Sequence, residues 1–380
     1  MSEPPVKQRS ALLRLLLSSE GWSLFLVPFI PIALALDLAG ASPVAIFFTS
    51  ALGVVPTAAL MGRATEELAA RSGPGVGGLL NVTFGNAPEL IIALFALEKG
   101  LHEVVKASLV GSVIGNILLV LGASMLIGGL GRDRQTFSRA AASAQSSMLL
   151  LAGAALIMPA IFELVEGKGL PLPGDERIEY DSTVEHLSLA VAIVLILSYV
   201  SGLVFSLKTH RRLFNPPDAH DESEAHEAWS IRRSIGALAL AGVAVGVMSE
   251  VLVGSISEAA ESIGLTEFFV GAIVIAIVGN AAEHWVAVLV ARKDKMDLSV
   301  NIAIGSSAQI ALFVVPVLVL ASFVLGPSPL ALVFNGFELG AFLIAVLIAN
   351  HVTNEGESTW FEGVQLLAVY AVLALAFAFA

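Results

Sequence analysis

The sequence predicts an all-α polytopic membrane protein of eleven transmembrane helices, one N-terminal helix followed by two inverted five-helix repeats. Three observations carry that reading. The 380 residues are 56% hydrophobic and 14% charged, with a mean hydropathy of +0.86, more apolar surface than a soluble globule covers. Apolar runs of about 20 residues recur, and at ~1.5 Å rise per residue each crosses a ~30 Å hydrocarbon layer. The chain also matches itself when displaced by 194 residues.

In order, hydropathy and loop punctuation place spans at 22–39, 43–66, 76–97, 103–129, 140–162, 186–207, 236–260, 267–291, 299–325, 329–349 and 359–379. Lys7, Arg9 and Arg14 ahead of the first run resemble a signal peptide, but Pro28 and Pro31 interrupt the run and Asp37 follows it, so it counts as a span. With the N-terminus inside, sixteen Lys and Arg fall in inner loops and four, Lys99, Lys106, Lys168 and Arg177, fall outside. That bias sets an N-in, C-out topology, and the expected location of this multi-pass protein is the plasma (inner) membrane.

The 194-residue offset sets Gly85, Asn86, Ala87 and Glu89 on Gly279, Asn280, Ala281 and Glu283, with Pro88 against Ala282. Without a gap it also sets Gly111 and Ser112 on Gly305 and Ser306, Leu118 on Leu312, and Glu67 on Glu261. Five helices per copy is an odd number, so the copies cross in opposite senses, and such transporters bind substrate near the midplane between copies. The chain divides into an N-terminal segment and first helix (1–40), a first repeat (41–213), an acidic cytoplasmic segment (214–233) and a second repeat (234–380).

Composition narrows the chemistry. A net charge of −12 with 20 Lys and Arg excludes a nucleic-acid partner, which demands a basic face, and points to cations. With no cysteine, any metal is held by oxygen or imidazole. The chain has no HExxH or GxSxG motif, so a membrane enzyme is not expected. A passive cation channel is an alternative, but its acidic rings usually arise by oligomerisation.

Glu89 and Glu283 each stand in mid-helix, where a charge costs roughly 3 kcal/mol and persists only if paired, protonated or beside water. Asn86 and Asn280, three residues earlier, share their faces. Close helix packing with an interhelical hydrogen bond is the plain alternative, disfavoured because the motif occurs twice at equivalent depth. Pro88 deprives the Phe84 carbonyl of its helical partner and Gly85 opens the backbone to approach; in the second copy any break rests on Gly279. Two carboxylates suit a divalent cation seeking six to eight oxygens, and protons taken by the same groups exclude it, which is antiport. The Gly-Ser-rich stretches 111–116 and 305–309 add Asn116 and Gln309, or serve only as small-residue packing. His284 is expected to be a structural hydrogen bonder.

The motifs GNAPEL (85–90), GNAAEH (279–284), GSSAQIAL (305–312), GRATEEL (62–68) and NEGESTWFEG (354–363) resemble the calcium/proton exchangers of the cation/proton exchanger family, within the sodium/calcium exchanger superfamily. The resemblance covers essentially the whole chain. It implies exchange of Ca2+ for H+, no cofactor, Glu89 and Glu283 as cation ligands, Asn86, Asn280 and Gln309 around them, and a proton-linked role for Glu66. Gly115 departs from it, standing where members often carry Ser. Na+ and Mn2+ remain alternative substrates. Glu250, expected to be buried within the seventh span, is a second candidate for the proton pathway, although the first repeat has Pro56 there. Asp218, Asp221, Glu222, Glu224 and Glu227 form an acidic segment that is either regulatory or a solvated linker. Beyond the ions the expected partner is the lipid bilayer, with no protein partner.

Overall fold

The structure, a computed structural model, describes residues 21–174, 179–209 and 229–380; Asp218, Asp221, Glu222, Glu224 and Glu227 lie outside them. Among the described residues nine helices are long and apolar enough to cross a membrane: 43–71, 102–129, 139–165, 182–209, 231–254, 267–292, 296–322, 336–353 and 360–378. Two of the eleven expected spans fall short of that length. The first is a 3-10 turn, Trp22–Leu26, followed by helix α1, Phe29–Leu38, because Pro28 and Pro31 lack the N–H groups that would continue one helix through them. The third is divided into α3, Gly73–Phe84, and α4, Ala87–Glu98, at Gly85 and Asn86.

The remaining elements are α2 (Pro43–Arg71), α5 (His102–Ile114), α6 (Leu121–Gly129), α7 (Arg139–Leu156), α8 (Met158–Val165), α9 (Ser182–Val204), α10 (Ile231–Gly254), α11 (Ile256–Ile263), α12 (Glu267–Phe269), α13 (Ala276–Arg292), α14 (Met296–Gln309), α15 (Val315–Ser322), α16 (Gly336–Thr353) and α17 (Trp360–Ala378). The sequence duplication reappears in backbone shape. Helix α5 runs into a π turn at Gly115–Val120, and its counterpart α14 runs into one at Ile310–Val314, nearly the same register under the 194-residue offset. Every residue of α5 is buried, as expected of a helix surrounded by others. Around this centre α2 packs along α10, and α7 packs against α14 and α16.

Two features depart from an all-α bundle. Residues Gln135–Thr136 (β1) and Glu357–Ser358 (β2) pair antiparallel, and Arg134 Nη1 meets Glu357 Oε2 at 2.9 Å beside them. The tail motif is thereby explained locally: Gly356 turns at φ +75°, Ser358 pairs, and Thr359 with Glu362 forms the capping box of α17. The expected span from 329 starts as non-helical chain, and its helix begins only at Gly336. Leu330 to Phe334 are buried there. Buried non-helical backbone needs outside partners, and it has them: Leu330 N donates to Ser322 Oγ (2.7 Å), Leu332 N to Ser188 Oγ (3.0 Å), and Lys106 Nζ to Val333 O (3.1 Å).

The loop between α8 and α9 is tied as well as solvated. Lys168 Nζ lies 2.7 Å from Glu166, 3.7 Å from Asp181 and 3.8 Å from the buried Glu163. Its hydrogen bond to Glu166 raises the proton affinity of the Lys168 amine above its ordinary value.

Candidate cation site between the two glycine-asparagine motifs

Pro88 is the second residue of α4, a position where the missing N–H costs nothing, and it starts the new helix after the break at Gly85 and Asn86. In the second copy Ala282 imposes no break, and α13 runs unbroken through Gly279 and Asn280. A backbone ligand at Gly279, expected from the sequence, therefore finds no opened helix. Gly279 acts by its missing side chain: a β-carbon there would sit 3.3 Å from Glu89 Cγ, and one at Gly85 would sit 3.6 Å from Glu283 Oε1. Each glutamate reaches across the glycine of the opposite motif.

Polar neighbours converge on this crossing. Asn86 Nδ2 donates to Gln309 Oε1 at 2.7 Å. Asn280 Nδ2 donates to Ser112 Oγ at 3.0 Å and to Ala276 O at 2.8 Å. Ser306 Oγ donates to Glu283 Oε2 at 2.6 Å. The amide nitrogens are thus spent on the protein, and the oxygens are left over: Asn86 Oδ1, Asn280 Oδ1 and Glu89 Oε2 are buried without a hydrogen-bond partner among the described residues. Unpaired buried oxygens are costly, and a set of them from both motifs is what a hard cation satisfies. Beside them is a hollow of about 10 Å3 lined by Glu89, Ser108, Ser112, Gly279, Ile275 and Ile310. No group of three or more His, Cys, Asp or Glu side chains placed to hold a metal ion occurs among the described residues, so a cation at this crossing would draw on Glu89 and Glu283 with amide and hydroxyl oxygens.

The structure thus brings together Glu89, Glu283, Asn86, Asn280 and Gln309, with Phe84 ending α3 beside them. Glu66 is exposed yet within electrostatic reach of Glu283. Glu250 is exposed rather than buried, because Met248, Ser249, Leu252 and Val253 form the packed face of α10 and residue 250 points away from it. Glu67 has a structural partner: its Oε2 accepts from Trp229 N at 2.9 Å, with Arg63 and Arg233 on the Trp229 ring. His284 Nε2 and Asn116 Oδ1 are 3.0 Å apart, a structural bond as expected. Ser112 and Ser306 were not singled out from the sequence as individual ligands, although the 194-residue offset pairs them.

The two copies are packed differently about this site. A β-carbon at Gly111 would sit 2.1 Å from Ala272 O, so α5 and the π turn Val270–Ile275 touch backbone to backbone. In the other copy a β-carbon at the counterpart Gly305 would find its nearest neighbours in the side chains of Gln145 and Asn301, at 3.3 and 3.4 Å. Helix α3 turns instead to α2 and to Leu207: a β-carbon at Gly77 would lie 2.2 Å from Ala69 O, and one at Gly78 would lie 2.4 Å from Leu207 Cδ2.

The sequence pattern of the sodium/calcium exchanger proteins matches residues 42–208 and 233–379. The chain belongs to that family. It is 45% identical over 373 residues to the Ca2+/H+ antiporter of Synechocystis, covering 94% of this chain and 96% of that one. It is 44% identical over 334 residues to the Ca2+/H+ antiporter ChaA of Bacillus subtilis, covering 87% and 91%. The solved structure of native YfkE superposes with a TM-score of 0.79 at 38% identity, over 94% of this chain and all of that one. That of the H+/Ca2+ exchanger CAX, at 14% identity and a TM-score of 0.67 over 95% and 92%, shares the fold. These relatives are named antiporters and exchangers, in keeping with the expectation that this family member is a transporter rather than an enzyme.

Proposed function

We propose that this exchanger carries Ca2+ against H+ by alternating access, with cation and protons competing for Glu89 and Glu283. The observation that carries the reading is the crossing of the two carboxylates over opposite glycines, among amide oxygens left without donors. Relatives named as Ca2+/H+ antiporters along nearly the whole chain support Ca2+ as the cargo. Two carboxylates neutralise a divalent ion in a low-dielectric site, and two protons neutralise them in its absence.

The topology that goes with this reading has eleven spans, with the broken third and the short first helix completing the count, two inverted repeats, and an N-in, C-out orientation. It puts the backbone contact at Gly111 on the outer side of the site and its looser counterpart at Gly305 on the cytoplasmic side. Unequal packing of two equivalent halves supports a cytoplasm-open state whose opposite is reached by exchanging the two packings.

Uptake of Ca2+ into proteoliposomes with an imposed pH gradient tests the function. Uptake should require the gradient, collapse with a protonophore, and compete weakly with Na+ and Mn2+. Gradient-independent Ca2+ flux would indicate a channel, and preferred uptake of Mn2+ or Na+ would change the cargo.

A further inference from the structure

Glu338 is a buried carboxyl that the cation site does not use. At 1% exposure it stands in the first turn of α16, where its Oε2 accepts from Asn335 N at 2.7 Å in a capping box. Its Oε1 has no hydrogen-bond partner among the described residues. The side chain lines a cavity of about 20 Å3, otherwise walled by Leu109, Val110, Ile157, Ile310, Phe334 and Phe342 among other apolar groups. That is room for one water molecule. Leu109 and Ile310 also wall the hollow beneath Glu89, so the same two side chains border both spaces.

The groups facing Glu338 set its charge balance. Helix α5 packs against α16 and brings His102, Glu103 and Lys106, at 1%, 6% and 4% exposure. Helix α7 brings only Arg139, at its far end, since Gly153 meets Phe342 while Ser146 meets Thr353. The π turn Gly115–Val120 brings no titratable group. Leu339 packs on the cluster that holds Ala160 of α8, Val184 of α9 and Tyr180, and Phe337 meets Phe268 of α12; the titratable groups at these ends are Glu163, Tyr180, Glu185, His186 and Glu267. Lys106 and Glu103 act on Glu338 electrostatically, and Glu103 Oε1 accepts from Gly174 N at 2.7 Å. One ammonium neutralises one carboxylate. A second one, buried without its own cation, is strongly disfavoured in its charged form, and a proton removes that cost.

We propose that Glu338 is a second protonatable station of the exchanger, which takes protons from the outer side and passes them by way of the cavity to Glu89, so that protons and cation reach the same site by separate outer routes. In the transfer an O–H bond of the Glu338 acid breaks as one forms on the Glu89 carboxylate, a transient water bridging the apolar gap at Leu109 and Ile310, and Glu338 is reprotonated from outer water. The proposal rests on the exchanger reading above.

The test is Ca2+ uptake by Glu338→Gln proteoliposomes over a range of outer pH. Gln keeps the capping box and cannot carry a proton. The variant should lose most of its dependence on outer pH, with exchange at acidic outer pH down about tenfold, while its half-saturating cytoplasmic Ca2+ stays within about twofold of wild type. Lys106→Gln should shift the outer-pH midpoint to the alkaline side by about tenfold in proton concentration, because a carboxyl without its cation holds its proton more tightly. A folded Glu338→Gln with the wild-type pH profile overturns the proposal, and if that variant does not fold, an unmoved profile in Lys106→Gln does so. Wild-type protein without gradient-driven uptake would fail the exchanger reading itself, a separate outcome.

Discussion

Replacing Glu89 or Glu283 by Gln is expected to abolish exchange, by at least about 100-fold, with folded protein recovered at wild-type yield. At an effective dielectric of ~20, unit charges 4 Å apart interact by about 4 kcal/mol, so a divalent cation gains about 8 kcal/mol from each carboxylate before desolvation is counted. Losing a third of that is already about two orders of magnitude in affinity. Folding should not suffer, because Gln removes a charge that is costly at membrane depth and keeps the shape that fits over Gly85 or Gly279. Glu283→Gln also retains an acceptor for Ser306. Uptake in proteoliposomes, with size-exclusion profiles as the folding control, reads the result. Exchange at near wild-type rate in either variant would move the site elsewhere.

The second large effect belongs to Gly111. A β-carbon there would meet the Ala272 carbonyl at 2.1 Å, and backbone cannot swing aside as a side chain does. Overpacking of this kind costs about 1–3 kcal/mol, which biases a two-state equilibrium by roughly 5-fold to 150-fold. Gly111→Val should therefore populate an outer-open state at the expense of the one described here and slow exchange by about tenfold. Because the chain has no cysteine, a single cysteine at Ser108 reports the change: labelling by an impermeant maleimide from outside should be slow in the otherwise wild-type protein and about tenfold faster with Gly111→Val. An unchanged rate in folded protein would mean that this contact is not the outer closure.

Much of this was legible in the sequence because membrane folding leaves strong marks. Apolar length fixes where helices run, and a carboxylate in the middle of one demands a use, so Glu89 and Glu283 stood out before any coordinates. The duplication added the partner of each motif. What the sequence hid depends on tertiary choices. Pro88 marked a break in one copy, but nothing local said that α13 would stay unbroken at Gly279. Asn86 binds Gln309 while its counterpart Asn280 binds Ser112, an asymmetry invisible in two near-identical motifs because it follows from how each copy is packed. Glu250 was misplaced for a simpler reason: the hydropathy of a span does not say which of its faces is covered. The buried strap before α16 is hidden in the sequence because Leu330 to Phe334 are as apolar as any helix; Ser322, eight residues before Leu330, and Ser188 and Lys106, far away in sequence, make its non-helical backbone tolerable.

Competition between cation and protons at one pair of carboxylates is the central claim, and proton release on Ca2+ binding tests it most directly. Adding Ca2+ to purified protein in weakly buffered detergent solution should release protons, with apparent Ca2+ affinity rising as pH rises, because each bound cation displaces protons from Glu89 and Glu283. Glu89→Gln and Glu283→Gln should bind Ca2+ at least about 100-fold more weakly and give no release at the same Ca2+ concentration. Saturable Ca2+ binding by the wild-type protein without proton release, at an affinity indifferent to pH across the range in which transport is pH-dependent, would contradict the account.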